Sequence, residues 1–149
     1  MKKMPPVEKI YEAFSALADG RVKMEETSAA VRSSNGAKTY TVQWEGDLYR
    51  SSDSATYWQG YPGYPVIAVL MLQGRLPCDS VVVKLFAGIN WTELNKKHKR
   101  DYASAAAEVI NDLSEKGANV EAVRAAAAGA YAALENLEIT VGRASDKQS

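Results

Sequence analysis

The spacing of apolar residues changes twice along the chain, dividing it into a helical start, a strand-rich middle and a helical remainder. Val7, Ile10, Phe14 and Leu17 recur on one helix face, Pro6 suits the first turn, and Gly20 suits a left-handed close. From Val22 the period shortens. Asn35-Gly36, between Val31 and Tyr40, is the strongest local hairpin signal. In the next arm Tyr40, Val42 and Trp44 alternate with Thr39, Thr41 and Gln43, as in a half-buried antiparallel strand. Glu45-Gly46-Asp47 turns the chain again into Leu48–Arg50, so an antiparallel meander of three to four strands is expected between residue 21 and about residue 58.

Beyond that point the helical period returns. Val66 to Gln73 is an apolar run between Pro65 and Gly74, read as a buried helix. Residues 81–86 pull both ways: the triplet Val81-Val82-Val83 favours a strand, Asp79 and Gly88 favour a short capped helix, and helix is the reading preferred. Asn90 opens a capping box with Glu93, and Leu94, His98, Tyr102, Ala105, Val109 and Leu113 then share a face, which predicts one helix ending at Lys116-Gly117. Asn119 caps another, with Val120, Val123, Ala127, Ala130, Leu134 and Leu137 as its stripe. The fold expected is α+β: an N-terminal helix, the meander, and a helical half ending in a long helical hairpin.

The 149 residues suit one domain, placed at residues 1–141, with residues 142–149 as a flexible tail. Lys plus Arg equals Asp plus Glu at 18 each, so no overall field draws the chain to nucleic acid or to an anionic membrane. The longest apolar run, Val66 to Leu72, falls far short of the roughly 20 residues needed to span a bilayer. A soluble, cytoplasmic protein is expected, the single Cys78 being compatible with a reducing compartment.

Candidate chemistry is sparse. Tyr57, Trp58, Gln59, Tyr61 and Tyr64 lie in a tandem Gly-Tyr-Pro segment at the junction of the two halves. They can form a stacking surface for a base, a sugar or a proline-rich peptide, with Gln59 giving direction; otherwise the rings plug the junction. Lys96, Lys97, Lys99 and Arg100 flank His98 in the one dense basic block and can touch phosphates, although Glu93, Asp101 and Glu108 are placed to solvate the same helix.

His98 is the sole histidine, on an apolar stripe, and Cys78 reads as a small buried hydrophobe; a hydrolase or transferase using either needs both in one cleft. No zinc spacing, phosphate loop or nucleophile elbow occurs, so neither a metal nor a cofactor is expected and no catalytic residue is assigned. The preferred reading is a non-enzymatic binding module for an unidentified protein or small ligand, using residues 57–64. Nucleic-acid contact through residues 96–100 is an alternative. Self-association through the alanine-rich segment Ala125–Ala133 of the last helix is a third.

Overall fold

The computed structural model describes residues 3–144. Its first helix, α1 (Glu8–Ala18), carries the expected stripe, but every residue from Lys9 to Ala16 is buried. Such a helix lies inside the protein rather than on it, and α1 touches each of the five other α-helices among the described residues. Gly20 closes it in the left-handed region, φ 64°.

Four strands follow, β1 (Val22–Met24), β2 (Ser28–Arg32), β3 (Thr39–Glu45) and β4 (Leu48–Ser51), each antiparallel to its predecessor. The Asn35-Gly36 turn joins β2 to β3, with Asn35 Oδ1 accepting from the Ala37 amide at 2.9 Å. Val31 and Val42 face the core, as the alternation requires. Thr41 belongs to the expected outer set yet is buried, because Ser52 extends the ladder and its hydroxyl accepts from the Thr41 amide.

Residues 55–59 form a single π-helical turn, closed by Gly60 at φ 74°. Helix α2 (Tyr64–Leu72) is buried from Pro65 to Met71 and touches α1 as well as β1, β3 and β4. It is therefore the layer between the sheet and the remaining helices. Residues 80–84 are helical (α3), with Asp79 Oδ1 accepting from the Val81 amide at 2.9 Å. Phe86, just beyond, stacks on Tyr11 at 5.4 Å and packs against Phe14 at 5.6 Å.

The single helix expected from Trp91 to Glu115 is two. Helix α4 (Trp91–Lys97) stops at His98, and α5 (Tyr102–Glu115) starts afresh at Asp101, whose carboxylate caps the Ser104 amide at 3.1 Å. Between them Lys99 and Arg100 are left-handed, with φ 53° and 66°. An apolar stripe can run through such a break because it fixes which residues are buried, not whether the backbone is continuous. Helix α6 (Val120–Asn136) then packs on α1, α3 and α5, with Val123, Ala127, Ala130 and Leu134 buried.

A fifth strand, β5 (Thr140–Arg143), runs parallel to β4 and completes a sheet of order β1-β2-β3-β4-β5. Gly142 and Arg143, placed in the tail by sequence, thus lie in the sheet, and Ala144 is buried. The rest of that expected tail, residues 145–149, lies outside the described residues. Among the described residues, no helix is long and apolar enough to cross a membrane.

Candidate functional site

Where α1, α4, the turn before α5 and the loop after β4 meet, they enclose a cavity of about 450 Å³. Two larger clefts, of about 590 and 970 Å³, are lined by charged groups that are all exposed. The 450 Å³ cavity differs in having a buried ion pair in its wall.

That pair is Lys9 and Glu12, one turn apart on α1 and 3.2 Å from Nζ to Oε2, with both side chains over 90% removed from solvent. The Lys9 ammonium also lies 4.0 Å from the centre of the Tyr102 ring. Burial works against the Lys9 charge, but Glu12 and Tyr102 outweigh it and hold the ammonium above its ordinary range. Burial dominates at Glu12 and raises its carboxyl, with Lys9 and Asn95 opposing. Asn95, on α4, donates from Nδ2 to Glu12 Oε2 at 3.4 Å, while its Oδ1 is enclosed and lacks any donor.

The chain after β4 supplies the opposite wall. Asp53 is buried, accepts from the Ser51 hydroxyl, and accepts from the Thr56 amide at 3.1 Å. Thr56 Oγ1 accepts in turn from the Gly63 amide at 2.9 Å, so the Gly-Tyr-Pro segment is folded around this carboxylate. Tyr64 lines the cavity beside Tyr40, the rings meeting edge-on at 6.3 Å, and burial pushes its phenol strongly up.

Cations complete the lining. Arg21 is committed to Asp19 at 3.3 Å and to the Arg32 carbonyl at 2.6 Å. Lys96 and Arg100 are exposed at the rim, and neither has an acidic partner among the described residues. The cavity therefore has four cations against two acids in a chain of zero net charge.

The two groups of residues singled out from sequence are each split. Of the aromatic segment, Tyr64 enters the cavity wall and Tyr61 is buried nearby, its phenol raised by burial. Tyr57, Trp58 and Gln59 face outward. Trp58 is 70% exposed, its ring edge-on to Tyr57 at 4.8 Å and 5.5 Å from the Arg143 guanidinium. A flat ligand cannot stack on both rings of an edge-on pair.

Of the basic block, Lys96 and Arg100 turn to the cavity. Lys97 and His98 instead bond Glu108 Oε1, at 2.8 and 3.1 Å. Lys99 is exposed.

Cys78 is exposed rather than a buried hydrophobe, since its loop between α2 and α3 runs over the surface. Partial burial and the Asp79 charge both raise its thiol, which keeps it protonated and weakly nucleophilic. Among the described residues no hydrogen bond or ion pair joins Cys78 to His98, and no group of three His, Cys, Asp or Glu is placed to hold a metal ion.

The sequence reading missed Lys9, Glu12, Asp53 and Asn95. A signal for the first two was present: a Lys-x-x-Glu pair enclosed by Ile10, Tyr11, Ala13 and Phe14, on a helix too apolar to expose it.

Residues 2–140 match the family model described as "Uncharacterised conserved protein UCP014422". No curated protein and no solved structure is matched by the chain.

Proposed function

We propose, for a chain that belongs to this family of uncharacterised conserved proteins, that it is a binding domain whose 450 Å³ cavity takes a small anionic ligand. The observation that carries this reading is the pair Lys96 and Arg100, two rim cations without acidic partners above a floor whose own charges are compensated. Arg offers a planar fork to a phosphate or carboxylate, and Lys adds a point charge. Arg100 is also held in a left-handed backbone, and strain of that kind collects where a side chain must be aimed. The volume lies within the roughly 300–1,000 Å³ of small-molecule sites.

Contact with a nucleic-acid backbone is the weaker reading. Only two of the four cations at residues 96–100 share a surface, since Lys97 serves Glu108 and Lys99 lies outside the cavity lining.

The test is calorimetric titration of inorganic pyrophosphate into the full chain. Saturable binding should weaken about tenfold for each rim cation removed, in Lys96→Ala and Arg100→Ala, because each loses a charge-assisted contact. Absence of binding to the wild type would overturn the proposal.

A second reading concerns the outer face. Trp58 is largely exposed yet braced by Tyr57 and Arg143, an arrangement suited to a sugar or peptide contact, with Gln59 alongside. Tryptophan fluorescence of the wild type and Trp58→Phe, titrated with an oligosaccharide or a proline-rich peptide, tests it. A response independent of Trp58 would remove this face from consideration.

A further inference from the structure

Hydrogen-bond capacity at the cavity floor narrows the ligand class, an inference that rests on the anion-binding reading. Glu12 Oε2 is engaged by Lys9 and Asn95, whereas none of the described residues donates a hydrogen bond to Oε1. Asn95 Oδ1 is the second acceptor there without a donor. A group that donates therefore finds two acceptors at this floor, beside a Lys9 ammonium already engaged with Glu12 and the Tyr102 ring.

Charge decides which donor. A phosphate or carboxylate gains no net attraction here, because Glu12 compensates Lys9. An ammonium is repelled by Lys9, which lies 3.2 Å from the same carboxylate and already neutralises it. Neutral hydroxyls satisfy the floor without adding charge. Tyr40, Tyr64 and Tyr102 supply ring faces and edges against which the C–H surface of a sugar can rest.

We propose that the ligand is a hydroxylated phosphate of the sugar-phosphate class, its phosphate at Lys96 and Arg100 and its hydroxyls donating to Glu12 Oε1 and Asn95 Oδ1. Asn95 Oδ1 is enclosed in the free protein, so the amide must turn about its terminal torsion to meet a hydroxyl. That torsion is soft, and the bond given up, 3.4 Å long, is weak. Leaving a buried acceptor without a donor is costly, so the free protein gains by the exchange.

The experiment is calorimetry on the full chain with inorganic phosphate, ribose 5-phosphate, glucose 6-phosphate and glycerol 3-phosphate. The tightest sugar phosphate is then compared with its deoxy analogue. One or more sugar phosphates should bind at least about tenfold tighter than phosphate, and removal of a floor-facing hydroxyl should cost about tenfold. In Asn95→Ala, checked for folding by its melting curve, sugar-phosphate affinity should fall toward that of phosphate. The deoxy comparison on the wild type stands even if that variant fails to fold.

Equal affinity for phosphate and every sugar phosphate would overturn this inference and leave the anion pocket standing. No binding of any of the four, nor of pyrophosphate, would overturn both.

Discussion

The Asp53 carboxylate fills the space that a side chain at Gly63 would need: a Cβ built there overlaps Oδ2 and lies 2.9 Å from Cγ. Gly63 has φ −76° and ψ 175°, so glycine is required at this site for room and not for backbone freedom. Asp53 cannot retreat, because Ser51 and the Thr56 amide hold it in a buried position. Gly63→Ala should therefore destabilise the fold by about 1–3 kcal/mol, the usual cost of overpacking. Urea denaturation checks this, and a loss below about 0.5 kcal/mol would show that the Asp53 wall is soft.

Glu12 gives stability an unusual dependence on pH. Burial raises its folded-state carboxyl above the ordinary value of 4.5. The folded protein thus holds the proton more tightly than the unfolded chain. The contribution is fully present below pH 4.5 and is lost as pH rises through the raised value. Asp101 and Glu108 are lowered by their hydrogen bonds and act oppositely, losing their contribution as pH falls. Lys9 is raised above 10.5 and changes only in strong alkali. Subtracting the profile of Glu12→Gln from that of the wild type isolates the one group. The stability difference, measured by urea denaturation from pH 4 to 8, should move against the wild type as pH rises. Movement in its favour would mean that Lys9 holds the carboxylate ionised.

The strand-and-helix plan was readable because its signals are local. Asn35-Gly36 marks the hairpin, Pro65 and Gly74 bracket α2, and Asn119 caps α6 where its side chain meets the Ala122 amide at 3.1 Å. What escaped depends on distant partners. β5 is four residues long and pairs Thr140 with Leu48, a parallel contact that no short window of sequence contains. The α4–α5 break carries neither glycine nor proline, and its trace is Asp101 placed to cap Ser104. The cavity was hidden for a related reason: it joins Lys9, Asp53, Tyr64 and Asn95 from four separate segments, and no one of them outlines it.

The break between α4 and α5 should separate stability from binding. Lys99 and Arg100 are both left-handed, which costs a residue with a Cβ about 1 kcal/mol relative to glycine. Lys99→Gly should therefore raise stability by up to about 1 kcal/mol and leave pyrophosphate affinity nearly unchanged, since Lys99 is absent from the cavity wall. Arg100→Gly should gain similar stability and lose about tenfold in affinity. Paired denaturation and calorimetry distinguish the two. Unchanged affinity in Arg100→Gly would remove that residue from the site.

The alanine-rich stretch of α6 has two faces, and substitutions on them should behave oppositely. Ala127 and Ala130 are buried in the core, whereas Ala125, Ala128, Gly129 and Ala132 are exposed. A Cβ at Gly129 meets nothing within 4 Å, so Gly129→Ala should stabilise the helix by about 0.5–1 kcal/mol through backbone entropy. Ala130→Asp should destabilise by several kcal/mol whatever the oligomeric state, because it buries an unpaired charge. Ala128→Asp is the informative variant. In a chain that acts as a monomer it should change neither stability nor solution mass by light scattering; a fall in mass would identify the outer face of α6 as a contact between two copies of the chain.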